Sequence, residues 1–312
     1  MQPILGNSQP TFAVSAVCCH DDHQRERRCR YQVAWSINPH MRVGSVDFKR
    51  AHEQHRDLRS ALIRAGAQLI NVPFVHAAYD SVFVKDSAVL VQRGESLQAL
   101  LCTPRFSQRR GEQGARAAAL YQLGFTVHEP APVPLEGGDV VMLPDGSALL
   151  GYGLRSSLGA VARLEQLLGA EVTPIELRDP HLYHLDTALA ALSDGTILLC
   201  PDALSPASLR LLARRPGVSQ LAYVPRREAL DFGLNLVQIG ATVLIGGYAP
   251  QVHSLLCRRG FHPIMIPLDQ FQLAGGSAAC LVAQVHRRDP ATKAAHPRVA
   301  TRATSAMRSA CA

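Results

Sequence analysis

The sequence has few aromatic side chains, no paired cysteine motif and no long apolar run. Aromatics make up 5% of the 312 residues, too few for the stacking platforms that hold single-stranded nucleic acid. No stretch approaches the roughly 18 uncharged apolar residues of a membrane helix, and no short apolar run after a charged start indicates secretion. The eight cysteines form no CxxC pair and no Cys/His cluster with zinc spacing. These absences predict a cytoplasmic protein with reduced thiols that binds neither nucleic acid nor membrane.

The composition is that of a globular enzyme whose excess positive charge lies at its two ends. Hydrophobic residues make up 47% and the formal net charge is +7. Six cations after Val285 oppose only Asp289, and four arginines between positions 25 and 30 oppose only Glu26. Charged ends of this kind are typical of solvated extensions. We therefore expect a basic extension over residues 1–30, one catalytic domain over 31–286 and a basic, disordered tail over 287–312.

A unit of strand, turn, strand, helix and strand recurs along the chain. One copy reads LEGGDVVML, PDGS, ALLGYG, a helix and EVTPIEL, and the next reads HLDTALAAL, SDGT, ILLCP, a helix and VSQLAYVP. Both turns carry the Asp-Gly pair that hairpins favour. Two further copies follow this pattern, and the last strand, in GGSAACLVAQVH, completes a fifth copy with the first, YQVAWSINP. The repeat predicts an α/β fold, a five-bladed αβ propeller of ββαβ units closed by the chain ends.

The predicted inner strands carry polar residues where apolar ones belong. Buried polar groups without partners cost roughly 2–7 kcal/mol each, so several that converge near the axis indicate a site. Those residues are Asp86, Glu136, Asp139, His184, Asp186, Asn235 and Cys280.

The residue types in this set suit nucleophilic attack on a planar cation. Cys280 follows a Gly-Gly-Ser run, and His184 and Asp186, two apart in a predicted strand, are expected to point to one face. Carboxylates pair well with guanidinium groups while a thiolate attacks the central carbon. Each member alone also fits a simpler interpretation, such as a packed core thiol at Cys280 or a surface ion pair of Asp86 with Lys85.

Five motifs, in the order FVKD, LEGGDV, GYGLRSS, DPHLYHLDT and AGGSAAC, make the region from Tyr31 to Val285 resemble the guanidine-modifying enzymes of the pentein superfamily. The resemblance implies that Cys280 is the nucleophile and His184 the general acid and base. It also implies that Glu136, Asp86 and Asp186 bind the guanidinium, that Arg155 binds a substrate carboxylate, and that Asp139, the second acid of the LEGGD motif, has a structural role. We add Asn235 as a substrate-binding candidate.

The resemblance implies a cysteine-dependent hydrolase that converts arginine or a methylated arginine to citrulline and an amine or ammonia through a covalent thiouronium. Asp186 favours an unsubstituted guanidinium, whereas the short chain and the late motifs resemble the dimethylargininase-related subgroup. An amidinotransferase that passes the amidino group to an amine, or a non-catalytic pentein that binds a partner, are the alternatives. No metal or organic cofactor is expected, the partner is a small guanidino substrate, and a homo-oligomer is left open.

Overall fold

The computed structural model of the protein describes residues 11–17 and 31–288. In chain order its strands and α-helices are β1 (Thr11–Val17), α1 (Phe48–Arg64), β2 (Ala67–Pro73), β3 (Ala88–Arg93), β4 (Ser96–Leu101), α2 (Gln113–Gln122), β5 (Thr126–His128), β6 (Val140–Met142), β7 (Ala148–Tyr152), α3 (Val161–Leu168), β8 (Val172–Glu176), α4 (Leu185–Ala188), β9 (Leu189–Ala191), β10 (Thr196–Leu199), α5 (Pro206–Arg214), β11 (Gln220–Tyr223), α6 (Arg226–Leu230), β12 (Leu236–Ile239), β13 (Thr242–Ile245), α7 (Pro250–Arg258), β14 (His262–Met265), α8 (Asp269–Gln272) and β15 (Ala283–Arg288). Short 3-10 helices occupy Tyr79–Val82, Val84–Ser87, Ser107–Glu112, Gly137–Asp139, Leu158–Ala160 and Pro201–Ala203.

The strands form five blades of the same design. In each blade an inner strand pairs antiparallel with a middle strand, and the outer strand, which follows a helix, runs parallel to the middle one. The inner strands are β3, β6, β9, β12 and β15. This arrangement confirms the predicted α/β five-bladed propeller.

The predicted Asp-Gly turns connect inner and middle strands as expected. Gly146 and Gly195 have φ angles of +80° and +82° in these turns, the left-handed region that glycine enters without steric cost. The side chains of Asp145 and Asp194 each accept a hydrogen bond from the backbone two residues later, at 2.9 and 2.8 Å. Local turn chemistry therefore sets the strand register in these two blades.

The first strand is not where the sequence analysis placed it. YQVAWSINP was expected to be a strand, but no strand is assigned over residues 31–39. The position beside β2 belongs instead to β1, which pairs with β2 on one edge and with β15 on the other. Ala13 and Val14 are buried there, so residues that were assigned to a basic extension contribute a strand to the sheet.

The closing contact joins two blades into one sheet. Strand β15 pairs with β1 and also runs parallel to β3, which gives a six-stranded sheet in the order β2-β1-β15-β3-β4-β5. Arg287 and Arg288, expected at the start of the tail, belong to β15. The remainder of the predicted tail lies outside the described residues.

Helices cover the outside of the blades because their apolar faces match the sheets. In α1, Leu58 and Leu62 are fully buried while the opposite face is charged. Asp47 caps this helix by accepting a hydrogen bond from the backbone N–H of Arg50 at 3.2 Å. No helix in residues 11–17 and 31–288 is long and apolar enough to cross a lipid bilayer.

Candidate active site

The polar residues singled out from the sequence meet at one end of the five inner strands. Each lies just before an inner strand: Asp86 before β3, Glu136 and Asp139 before β6, His184 and Asp186 before β9, Asn235 before β12 and Cys280 before β15. All seven are buried. Because the strand starts converge, residues from five distant segments come together.

The local backbone differs from the predicted one at three of these segments. Residues Val84–Ser87 and Gly137–Asp139 form 3-10 turns, and Leu185–Ala188 forms a single helical turn. His184 is extended, but Asp186 lies in the helical turn. The expectation that the two side chains share a face through strand alternation is therefore wrong. Their side chains instead have separate partners.

His184 lies between two carboxylates. Its Nε2 is 2.7 Å from Glu136 Oε2, and its Nδ1 is 3.6 Å from Asp86 Oδ1. Burial lowers the pKa of His184, but the charge of Asp86 and the hydrogen bond to Glu136 outweigh it and raise the pKa to about 9. The imidazole is therefore a cation at neutral pH and can donate a proton.

The two carboxylates beside His184 are each paired with an arginine. Arg155 Nη1 lies 3.1 Å from Glu136 Oε2, and Arg109 Nη1 lies 2.5 Å from Asp86 Oδ2. Burial raises the pKa of Glu136, but the hydrogen bond and charge of His184 have the larger effect. The net result is a pKa below the ordinary value of a glutamate. The alternative in which Asp86 forms a surface ion pair with Lys85 is wrong, because Asp86 is buried and Lys85 pairs elsewhere.

Cys280 lies on the other side of the cluster. Asn235 Nδ2 donates to the sulfur at 3.2 Å, and the Cys280 backbone N–H donates to Asn235 Oδ1 at 3.3 Å. Asp186 Oδ2 is 3.9 Å from the sulfur. Burial, followed by the charges of Asp186 and Asp86, holds the pKa of the thiol well above its usual value.

Asp139 binds backbone N–H groups and is not among the residues that line the cavity. It accepts hydrogen bonds from the N–H groups of Ser156 and Leu185 at 2.9 and 3.0 Å. Burial raises its pKa to about 7. These contacts tie the β6 and β9 blades together next to His184.

Cys280 and His184 line the same small cavity, together with Asp80, Asp86, Arg109 and Arg155. The segment around Ile37 and Asn38 borders it, and Arg155 Nη2 donates to Ile37 O at 2.8 Å. The space between these side chains has a volume of only about 10 Å³, about the least that one water needs. Binding of any larger ligand requires these side chains or this segment to move.

Several cavity residues were missed by the sequence analysis. Asp80 accepts from Trp35 Nε1 at 2.8 Å, and Tyr183 lies with its ring 4.5 Å from the Arg155 guanidinium carbon. Arg109 donates to the backbone oxygens of Asp80 and Phe83 in addition to Asp86. Asp80 lies six residues before Asp86 in a segment that includes the apolar residues Val82, Phe83 and Val84, a signal similar to the one that identified Asp86.

Asp86, Glu136 and His184 are the described residues whose spacing would also suit a metal ion, with ligand atoms within 4.8 Å of one another. Arg109 and Arg155 already neutralise both carboxylates. The cluster therefore fits acid–base chemistry with a cationic imidazole better than it fits a metal.

The resemblance to guanidine-modifying pentein enzymes implied a buried thiol, a histidine and carboxylates near the axis of a five-bladed propeller, and the structure has this arrangement. A family model described as N,N dimethylarginine dimethylhydrolase, eukaryotic, matches residues 42–287. The chain belongs to this family.

Proteins with sequences similar to this chain include two kinds of enzyme. An N(G),N(G)-dimethylarginine dimethylaminohydrolase from Mycobacterium tuberculosis is 31% identical over 257 residues, which cover 82% of this chain and 83% of the relative. A bifunctional arginine dihydrolase/ornithine cyclodeaminase from Synechocystis is 30% identical over 277 residues, and the match spans only 38% of that relative's length.

The solved structures give a similar picture. The product-bound N-terminal domain of a cyanobacterial arginine dihydrolase superimposes with a TM-score of 0.81 at 27% identity, covering 89% of this chain and 99% of that domain. A variant of the same domain has been solved covalently bound to a reaction intermediate.

Proposed function

We propose that this protein is a cysteine-dependent hydrolase of the guanidinium group of arginine or a methylated arginine. The observation that carries the proposal is the presence of Cys280 and His184 in one buried cavity lined with carboxylates. The relatives named as dimethylargininases and arginine dihydrolases support the same reaction class.

The reaction begins when the guanidinium enters beside Asp86 and Asp186. The pKa of the Cys280 thiol is held high by burial and the nearby acids. The positive charge of the guanidinium favours ionisation of this thiol, and its proton passes to solvent water because His184 is already protonated. The thiolate adds to the guanidinium carbon, and the bond from that carbon to one terminal nitrogen breaks. His184, protonated at neutral pH, gives its proton to the departing amine, which leaves a covalent thiouronium.

Water completes the cycle. His184, now neutral, accepts a proton from a water molecule that adds to the thiouronium carbon. The carbon–sulfur bond then breaks, the thiolate is regenerated, and the product carries a ureido group. Glu136 supports both halves, because its carboxylate stabilises the imidazolium through the 2.7 Å contact.

Arg155 and Arg109 are candidates for the substrate's carboxylate, although both now pair with carboxylates of the protein. Asn235, considered as a substrate ligand, already uses both ends of its amide on Cys280 and Asp186. We therefore assign Asn235 to holding the nucleophile. A cytoplasmic location is part of this proposal.

A substrate panel tests the proposal. Arginine, asymmetric dimethylarginine and agmatine are incubated with the full chain, and ureido product, ammonia and alkylamine are measured. We expect citrulline from arginine, with one ammonia for each citrulline if hydrolysis stops there. The absence of turnover on every guanidino compound contradicts the proposal, and product that forms only when glycine or another amine is added indicates amidino transfer instead.

A further inference from the structure

We propose that Lys85 is a positioning residue of this site, which fixes the Asp186 carboxylate beside Cys280 and thereby selects an unmethylated guanidinium nitrogen. The proposal rests on the proposed function and adds the residue that sets the choice between arginine and dimethylarginine.

Lys85 occupies one oxygen of Asp186 and leaves the other open. Its Nζ lies 2.8 Å from Asp186 Oδ2, the same oxygen that is 3.9 Å from Cys280 Sγ. Asp186 Oδ1 is buried and has no hydrogen-bond partner among the described residues. Buried acceptors are nearly always paired, and the other oxygen of this carboxylate lies 3.9 Å from Cys280 Sγ. We therefore assign Asp186 Oδ1 as the acceptor for a donor of the substrate.

Lys85 does not border the candidate cavity itself. Its side chain lines a separate space of about 110 Å³ that runs along all five inner strands, past residues such as Leu90, Met142, Ala191 and His286. Asp186 borders this axial space and not the candidate cavity, whereas Cys280 and His184 border only the cavity. Because Asp186 Oδ2 lies 3.9 Å from Cys280 Sγ, the Asp186 carboxylate stands between the two spaces. Lys85 therefore reaches Asp186 from the axial side and acts on the reacting atoms through it.

The backbone of Lys85 is held as firmly as its side chain. Its N–H donates to the carbonyl oxygen of Cys280 at 3.3 Å. A side-chain carbon at Gly137 would lie 1.9 Å from the Lys85 carbonyl oxygen, so the two backbones pack as closely as glycine permits. The ammonium is therefore presented to Asp186 from a fixed position.

The charges around Lys85 keep it protonated. Burial lowers its pKa, but the charge and hydrogen bond of Asp186 outweigh burial and raise it. Cys280 and Asp86 also raise the pKa of Lys85. Burial, followed by the charge of Lys85, lowers the pKa of His286, which borders the same axial space. A permanent ammonium neutralises Asp186, which would otherwise disfavour the thiolate 3.9 Å away.

The open oxygen explains a preference among substrates. An unmethylated terminal nitrogen of arginine carries N–H groups that can donate to Asp186 Oδ1. A dimethylated nitrogen has none, so the acceptor would stay buried without a partner. Sites built around such a hydrogen bond reject analogues that lack the donor by large factors.

The test compares Lys85→Met with Lys85→Arg and with Lys49→Met, a control at an exposed lysine of α1. The values of kcat and KM are measured for arginine and for asymmetric dimethylarginine. We expect Lys85→Met to lower kcat/KM for arginine at least tenfold and to reduce the arginine-to-dimethylarginine ratio at least fivefold. Lys85→Arg should recover most of the ratio, and Lys49→Met should match the wild type. Lys85→Gln provides a second uncharged variant if methionine perturbs folding.

A ratio that stays within twofold in the uncharged variants overturns the proposal, since equal loss on both substrates is what a merely structural lysine would produce. A wild type that prefers dimethylarginine overturns it as well. If the wild type turns over no guanidino compound, the proposed function fails. The effect of Lys85 on the Cys280 thiol is then tested separately by alkylation. In that case the midpoint pH for labelling Cys280 with iodoacetamide, measured in a Cys257→Ser background, must rise by about one unit in Lys85→Met; an unchanged midpoint overturns the assignment.

Discussion

Asn235 Nδ2 lies 3.2 Å from Cys280 Sγ, and Asn235 Oδ1 accepts the Cys280 backbone N–H at 3.3 Å. One amide thus holds both the sulfur and the peptide of the same residue. The thiol is fixed before any ligand binds, which reduces the ordering that attack would otherwise require.

The covalent role of Cys280 is tested by Cys280→Ser. We expect kcat/KM to fall at least about a thousandfold, because serine is a far weaker nucleophile at neutral pH. The free energy of unfolding should change by less than about 1 kcal/mol, since the two side chains are similar in size. Cys257→Ser, at an exposed cysteine, is the matched control, and activity retained in the position 280 variant would rule out sulfur chemistry.

The guanidinium-binding role of Asp186 is tested by Asp186→Asn. We expect kcat/KM for arginine to fall about 10–100-fold, because a charged acceptor is replaced by a neutral amide beside a cation. Turnover of dimethylarginine should fall less. Steady-state kinetics with both substrates decide the matter, and equal losses would remove the reason to prefer a free guanidinium.

The raised pKa of His184 predicts an alkaline limit to activity. Because the folded pKa is about 9 and the ordinary value is about 6.5, the imidazolium persists through neutral pH. We expect kcat/KM to decrease above about pH 9, and Glu136→Gln to move that decrease toward lower pH. A pH–rate profile whose alkaline limb is identical in the variant would contradict the assignment.

The same shift affects stability. A group whose folded pKa is raised stabilises the folded state fully below its unfolded pKa, and the contribution is lost as pH rises through the folded value. The His184 contribution is therefore present below about pH 6.5 and lost between 6.5 and about 9. Urea unfolding at pH 6 and pH 9 should give a smaller difference for Glu136→Gln than for the wild type.

Close packing at Gly138 predicts loss of activity on a minimal substitution. A Cβ at this position would lie 2.6 Å from His184 Nδ1 and 2.7 Å from Asp86 Oδ1. Both neighbours are held by their own partners, so we expect Gly138→Ala to lower kcat/KM at least about a hundredfold and to destabilise by about 1–3 kcal/mol. Gly114→Ala, with nothing within 4 Å of its Cβ, should be neutral or slightly stabilising by thermal unfolding; a harmless Gly138→Ala would show that the cluster is loose.

The strand β1 predicts a stability effect in a region that the sequence assigned to an extension. Val14 is 1% exposed in that strand, so Val14→Ala should cost about 1–3 kcal/mol in the free energy of unfolding. Val43→Ala, at a position that is 62% exposed, should change it by less than about 0.5 kcal/mol. Equal, small effects in denaturant titrations would mean that β1 does not contribute to the core.

The repeat was predictable because its signals are local. Asp-Gly turns, alternating apolar runs and amphipathic helices recur in the sequence, and the motif residues mark the strand starts. The Lys85–Asp186 pair was not predictable, because the two residues are a hundred positions apart and Lys85 stands next to another acid in the sequence. The short turns at Gly137–Asp139 and Leu185–Ala188 were not predicted either, because tertiary contacts of Asp139 and His184 override the strand pattern there.

The missed strand has a clear cause. YQVAWSINP alternates buried and exposed side chains as a strand would, but Trp35 and Tyr31 are engaged by Asp80 and by the Gln270 carbonyl oxygen. The edge of β2 is occupied by β1 instead. Sequence alternation alone does not decide between two such segments.

Strand β15 joins the first blade to the second, and Cys280 stands only three residues before it. During translation, the nucleophile and the strand that closes the ring are therefore made together, after the strands of the other four blades. While residues 185–279 are added, a nascent polypeptide on the ribosome carries the imidazole of His184 and the acids before it without the sulfur they serve. The order of synthesis therefore keeps the active site incomplete until the strand that closes the propeller is being made.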